Sequence, residues 1–155
     1  MHTALYTSIL FIHVLAGLTW VGSNIFFDGT MHSVLKSHGQ VEADRVLERL
    51  AWSEKALFIP APLTVVVTGI IMVFSNEGIR FSNLWVVVSL GLFLLSLVLA
   101  GGIGSRMYKQ IEAHREAGTV DTPEYGTLLR SMLRLTSIET VATLVIVSMM
   151  VFRPT

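Results

Sequence analysis

Four residues near the start of the chain share one face of a predicted helix and are of types that can do chemistry. His13, Gly17, Trp20 and Asn24 are spaced at i, i+4, i+7 and i+11, so a helix carries them in one narrow stripe. The run that holds them, 5–27, contains no Asp, Glu, Lys or Arg. A histidine within such an apolar run is a functional-site hypothesis by default, and we expect the stripe to face protein rather than lipid.

The imidazole of His13 indicates which chemistry the stripe can support. Imidazole is the usual axial ligand of haem iron, and Gly17, one turn away, leaves space for a flat macrocycle. Copper is an alternative cofactor, with methionine thioethers as further soft ligands. A third interpretation needs no cofactor, because a neutral His13 can donate a hydrogen bond that holds two helices together.

Glu139 is the second polar residue in an unusual position, because it lies inside the apolar run 132–152. Intramembrane carboxyl groups are rare and usually functional, and a buried one tends to stay protonated or to find a cation. We therefore expect Glu139 to bear a catalytic proton, to contact a ligand, or to form a hydrogen bond between packed helices. Its candidate cation partners are Arg134, which we assign with it to the catalytic group, Lys55 and Lys109.

Other residue patterns are less informative. His32 is a possible second haem ligand, with a methionine as the alternative, and Asp28, His32 and Glu54 are of types that bind hard metals or protons. The absence of cysteine excludes thiolate ligands and a catalytic thiol. No phosphate-binding glycine loop, nucleophile elbow or zinc-protease helix is present, which argues against ordinary hydrolase or kinase chemistry.

The elements that must position these residues are predicted by composition and hydropathy. Of the 155 residues, 52% are hydrophobic and 14% are charged, and the mean hydropathy is +0.66. At about 1.5 Å per residue, an apolar run of about 20 residues crosses the hydrocarbon core of a bilayer. The sequence thus predicts an all-α integral membrane four-helix bundle, with one transmembrane domain over 1–155. The predicted spans are 5–27, 56–75, 84–104 and 132–152.

Charge placement predicts how the bundle lies in the membrane. Nine lysines and arginines fall in or beside the two long connections, and only Arg80 and Arg153 fall on the other side. By the positive-inside rule, both long loops face the cytoplasm and both termini face outward, in the cell membrane. The amphipathic pattern over 41–51 predicts a surface helix or a helical extension of the second span, and the charged stretch 106–116 predicts a helical extension of the third. Gly118 and Pro123 predict a break before the last helix.

The segment "FIHVLAGLTWVGSNIFFDGTMH" resembles the first helix of the HemJ-type protoporphyrinogen oxidases and of related CopD-like membrane proteins. The likeness covers nearly the whole chain, in the same order and at similar spacing. The matching positions are His13, Trp20 and Gly22 in the first run, with His32 near a second histidine; Pro60, Thr64 and Gly69 in the second run; and Arg134, Glu139, Val145, Ile146, Val147, Arg153 and Pro154 in the last.

The resemblance implies a membrane four-helix bundle that binds haem b through His13, with an electron-transfer or redox role as a membrane oxidoreductase. It also implies a quinone, a porphyrin or a redox protein as partner, besides the lipid bilayer and a second copy of the chain. The third run has no lysine where HemJ-type chains carry one, and Ile138 precedes Glu139 where they carry asparagine. Copper or small-solute handling and an accessory-subunit role are the alternatives, while balanced charge, 11 against 11, argues against nucleic acid.

Overall fold

The computed structural model describes residues 2–53, 56, 59–75 and 78–153, and within these ranges the chain is helical without strands. The all-α prediction is therefore confirmed. Glu54 and Lys55, both candidates for the polar sites, lie outside the described residues. The helices are α1 (His2–His38), α2 (Gln40–Ser53), α3 (Pro60–Ser75), α4 (Leu84–Val98), a π-helical segment (Leu99–Gly104), α5 (Ser105–Glu116) and α6 (Pro123–Phe152).

Among the described residues, three continuous helical stretches are long and apolar enough to cross a membrane: Ala4–His38, Leu84–Glu116 and Pro123–Phe152. The fourth apolar helix, α3, has 16 residues and is shorter. Large apolar side chains cover the outside of these helices, and those of Phe11 and Phe74 are 68% and 78% exposed. Exposure on this scale is costly in water and costs nothing in lipid, so the surface is that of a membrane protein.

The helices continue well beyond the apolar runs. Helix α1 extends 11 residues past position 27 to His38, and α5 continues the third apolar stretch as far as Glu116. Gly118, with φ of +68°, follows that helix in the left-handed conformation that glycine adopts without strain. Pro123 then begins α6, and Thr122 accepts a hydrogen bond from the Tyr125 N–H as its N-cap. The predicted extension of the third helix and the predicted break are thus confirmed, whereas the extension of α1 beyond residue 27 was not predicted.

Helix α1 is central in the packing. It lies against α3 on one side and α6 on the other, and α4 packs on α6. Within this apolar part, Trp20 and Val65 form a buried cluster with Ala61 and Ile146. The helical order across the molecule is therefore α3, α1, α6, α4, which leaves room between α4, α6 and the central helix.

A second core lies where the helices extend past the apolar runs. We call this region the cap: α2, α5, residues 28–38 of α1 and residues 123–134 of α6. Its buried centre consists of Met31, Ala43, Leu47, Ile111, Tyr125, Leu129 and Leu133. These side chains come from all four segments, so the amphipathic helix α2 buries its apolar face here instead of lying loose on a surface.

A buried polar network ties the cap together. The Arg115 Nε lies 2.8 Å from Asp44 Oδ1, and the Tyr125 hydroxyl donates a hydrogen bond to the same carboxylate oxygen. The Gln40 amide donates to the backbone oxygens of Val120 at 3.0 Å and Thr122 at 2.8 Å. Because Asp44 is only 6% exposed, its charge is held by partners and not by water.

Candidate functional site

Glu139 carries a buried oxygen that has no partner among the described residues. Its Oε1 atom is inaccessible to solvent, and no described residue forms a hydrogen bond with it. Buried polar atoms in proteins are almost always paired, so each exception calls for an explanation such as a ligand, an ion or a catalytic role. Of the cations considered as partners, Arg134 is exposed on α6 and forms no hydrogen bond with this carboxyl group.

The Glu139 side chain lines a cavity of about 620 Å³. Small-molecule sites in proteins have volumes of about 300–1,000 Å³ and combine apolar walls with a few convergent polar groups. This cavity has that character: most of its lining is aliphatic or aromatic. The polar and charged lining residues are Asn24, Ser96, Ser105, Tyr108, Lys109, Thr136, Glu139 and Thr143.

The inner end of the cavity is built by α1, α4 and α6. Trp20 contacts Phe93 edge-to-face, with ring centroids 5.9 Å apart. Asn24 donates from its amide to the Thr143 hydroxyl at 3.3 Å, and Thr143 donates to the backbone oxygen of Glu139 at 2.8 Å. The backbone that carries Glu139 is thereby fixed against α1 through a chain of hydrogen bonds.

The other end of the cavity is formed by the cap. Leu47 and Leu50 of α2 line it from one side, and Tyr108 and Lys109 of α5 line it from the other. The amphipathic pattern of 41–51 predicted a surface helix, but gave no sign that this helix would close a cavity. The role of Lys109 was foreseen only as a possible partner of Glu139.

His13 lies outside this cavity, on the face of α1 that packs against α3. Its Nδ1 atom is 2.9 Å from the Thr68 hydroxyl. That hydroxyl donates its single hydrogen to the backbone oxygen of Thr64 at 2.5 Å, so towards His13 it can only accept. The hydrogen-bond network therefore assigns the hydrogen of a neutral His13 to Nδ1 and leaves a lone pair on Nε2.

The predicted stripe on α1 divides between two environments. The His13 ring packs over Gly69, where an added Cβ would lie 3.3 Å from its Cε1 atom, and Gly17 faces Val65 of α3. Trp20 and Asn24 are 8% and 7% exposed and line the cavity. The structure thus brings Trp20 and Asn24 together with Glu139 and places His13 elsewhere.

His32 also lies apart from the cavity. Its ring is exposed, and its Nδ1 is 3.0 Å from the backbone oxygen of Asp28. Nineteen residues of continuous helix separate it from His13, which corresponds to about 28 Å along the axis. The structure therefore does not bring the two rings together within one chain, and His32 as second haem ligand stays a prediction.

Asp28 has a contact that the sequence did not suggest. Its Oδ1 accepts a hydrogen bond of 2.8 Å from the Ser137 hydroxyl of α6. Glu54, the third member of the expected group with Asp28 and His32, lies outside the described residues. In the described part of the chain, no three His, Asp or Glu side chains lie close enough to hold a metal ion together.

Comparison with known proteins identifies a family for this chain but no individual relative. No curated protein and no solved structure matches it. The family model DUF2269, described as a predicted integral membrane protein, matches residues 7–154. The match agrees with the apolar helices and confirms the prediction of a membrane protein, without extending to the HemJ-type or CopD-like proteins. Because the match covers nearly the whole sequence, the chain belongs to the DUF2269 family of predicted integral membrane proteins.

Proposed function

We propose that this protein takes up a small, largely apolar molecule from the membrane into the cavity beside Glu139. The observation that carries the proposal is the buried Oε1 of Glu139, which has no hydrogen-bond partner in the described part of the chain and lies in the wall of a mainly apolar cavity. A buried polar atom without a partner costs about 1–3 kcal/mol. A ligand that offers a hydrogen bond at that point would recover this cost and would be oriented by it.

The arrangement also suits a role in proton-coupled redox chemistry. The rings of quinones and porphyrins are apolar with polar groups at the edge, and such groups can exchange a proton with a carboxyl group. Glu139 would hold or release that proton, while Asn24 and Thr143 would keep its backbone in place. Trp20 and Phe93 would contact the apolar body of the ligand.

Filling the cavity tests the proposal directly. Ser96→Phe places a large side chain in the cavity wall, and Ser148→Phe places the same side chain on the exposed outer face of α6. We expect mass spectrometry of the purified proteins to find a small molecule with the native chain and with Ser148→Phe, at strongly reduced occupancy with Ser96→Phe. Equal occupancy in the two variants, or no bound molecule in any of them, would contradict uptake by this cavity.

We propose further that α1, α3, the α4–α5 stretch and α6 each cross the cell membrane, with both termini outside. Helix α3 is 16 residues long, about 24 Å, which suits a locally thin bilayer or a span whose ends reach the interface. The clustering of lysine and arginine in the cap supports a cytoplasmic position for it. The cavity would then open toward the cytoplasmic leaflet.

Haem b at His13 is a second candidate, supported by the hydrogen bond from Nδ1 to Thr68. Histidines that ligate metals usually donate the N–H of their other ring nitrogen to a fixed acceptor, as His13 does to Thr68. The Nε2 atom of His13 keeps the lone pair that would coordinate the iron. His13 would hold the iron and Thr68 would orient the ring, and the bound haem would supply one-electron redox chemistry. Such a haem would occupy a site other than the Glu139 cavity, because His13 is not part of the cavity lining.

The visible spectrum of purified protein tests this second candidate. A Soret band that shifts on reduction and disappears in His13→Ala, but persists in the exposed-site variant Arg134→Gln, would support ligation by His13. Metal analysis of the same samples tests the copper alternative. Protein without colour from haem-replete cells would contradict the haem proposal and leave the cavity proposal unaffected.

A further inference from the structure

We infer that the molecule taken up by the Glu139 cavity is a chain amphiphile with an acidic head group, held with that head group at Lys109. The inference rests on the proposed function, because it names the class of molecule that the cavity binds. It draws on the charges of the lining residues, on the shape of the cavity and on the depth of Lys109 relative to the apolar helices.

Charge is the first argument. Glu139 and Lys109 are the acid and base among the described residues that line the cavity. Lys109 is exposed and forms no ion pair within the described part of the chain. The carboxylate one turn further along α5, Glu112, is engaged with Arg115 at 2.8 Å. The Lys109 ammonium is therefore available to an anionic group of a ligand.

The shape of the cavity is the second argument. Its lining on α6 extends from Met132 to Thr143, eleven residues and about 17 Å along the helix. The lining on the opposite wall extends from Phe93 to Lys109. The cavity is thus a slot along the helices that runs from Trp20 and Phe93 at its inner end to Tyr108 and Lys109 at the cap. An extended apolar chain with one acidic end matches this distribution, because the chain can lie along the apolar walls while the acid faces the Lys109 ammonium.

The depth of Lys109 is the third argument. It follows Gly104, the end of the apolar run, by five residues, which places it about 8 Å further along the helix axis. This is the depth of lipid head groups, just outside the hydrocarbon core. An acidic amphiphile in the cytoplasmic leaflet already has its head group at the depth of Lys109 and its apolar chain at the depth of the slot. It can enter sideways without carrying its charge across the membrane.

The experiment compares an acid with its ester. A fluorescent polyene fatty acid and its methyl ester are titrated into the protein in nanodiscs of zwitterionic lipid, with protein-free nanodiscs as the blank. We expect the native chain to bind the acid about fivefold more tightly than the ester, the effect of a partly exposed ion pair. Lys109→Gln should abolish this difference. The matched control Arg106→Gln, an exposed cation on the same helix that does not line the cavity, should preserve it.

The outcomes distinguish a failure of this inference from a failure of the proposal that the Glu139 cavity takes up a small apolar molecule. Equal affinity for acid and ester, or equal effects of Lys109→Gln and Arg106→Gln, would contradict the inference that the ligand has an acidic head group at Lys109. The proposal that the cavity binds an apolar molecule would still stand. Binding of neither probe above the blank would overturn the acid inference as well. The occupancy of Ser96→Phe, measured independently, then decides whether the cavity takes up any molecule at all.

Discussion

At the scale of single residues, His13 and Glu139 are polar groups in apolar helices that differ in whether they have a hydrogen-bond partner. His13 is held by an acceptor on the neighbouring helix, at 2.9 Å from Thr68. Glu139 has an oxygen that lacks any described partner. By the rule that buried polar groups are paired, Thr68 accounts for the Nδ1 atom of His13, whereas the buried oxygen of Glu139 calls for a ligand.

Gly69 provides a test of the packing of His13. In Gly69→Ala the new methyl group would lie 3.3 Å from the His13 ring, so the ring or α3 must shift, at a cost of about 1–3 kcal/mol. Gly91→Ala is the matched control, because nothing lies within 4 Å of its added Cβ. Thermal unfolding in detergent should show a lower midpoint for Gly69→Ala alone. Similar midpoints in the two variants would contradict this packing.

Thr68 provides a separate test of the histidine tautomer. Thr68→Val removes the acceptor for the Nδ1 hydrogen, which should cost about 0.6 kcal/mol, the average for hydrogen bonds between membrane helices. Thr64→Val is the control, because the Thr64 hydroxyl donates to Pro60 of its own helix. Nitrogen-15 NMR of His13 should report a hydrogen on Nδ1 in the native chain and in Thr64→Val, and a changed Nδ1 signal in Thr68→Val. A hydrogen on Nε2 in the native chain would disprove the assignment.

At the scale of elements, the cap depends on the contacts of α2. This helix is amphipathic, and its Asp44 meets Arg115 and Tyr125, which are 71 and 81 residues away in the sequence. The same helix lines the cavity with Leu47, Leu50 and Ala51. Detachment of α2 would therefore open the cavity at the cap.

Replacement of Asp44 tests this coupling. Asp44→Asn removes the buried carboxylate from Arg115, which then keeps only the more exposed Glu112 as an ion-pair partner. Breaking a buried pair costs up to about 3–5 kcal/mol. Glu42→Gln is the control, because the Glu42–Arg45 pair is exposed and worth at most about 1 kcal/mol. Hydrogen exchange of residues 40–53 should accelerate strongly in Asp44→Asn and little in Glu42→Gln. Unchanged protection in Asp44→Asn would show that α2 is held by its apolar face alone.

At the scale of the whole molecule, the proposed topology makes a prediction for labelling from either side. The natural chain has no cysteine, so single-cysteine variants can be labelled without background. Ser37→Cys and Glu116→Cys are exposed positions in the cap, and Ser82→Cys is an exposed position in the α3–α4 connection. We expect an impermeant maleimide to label Ser82→Cys on intact cells and to label the other two only after the membrane is opened. The reverse pattern would invert the topology, and labelling of all three on intact cells would refute it.

The sequence by itself determined the helical class, the apolar stretches and their ends. Residues 84–104 are occupied by α4 and the π-helical segment, and the break at Gly118 and Pro123 lies where it was expected. These features depend on hydropathy, glycine and proline within a few turns of chain, so the local sequence contains the information. The same local reasoning singled out His13 and Glu139 as polar residues in apolar runs.

Only the tertiary structure decided which of these residues share a site. The stripe of His13, Gly17, Trp20 and Asn24 is continuous on α1, yet its first half faces α3 and its second half faces the cavity. The reason is that α1 is packed between two helices, and the order in which helices pack depends on the fit of side chains distant in sequence. For the same reason the contacts of Asp44 and the placement of Lys109 at the cavity mouth could not be read from periodicity.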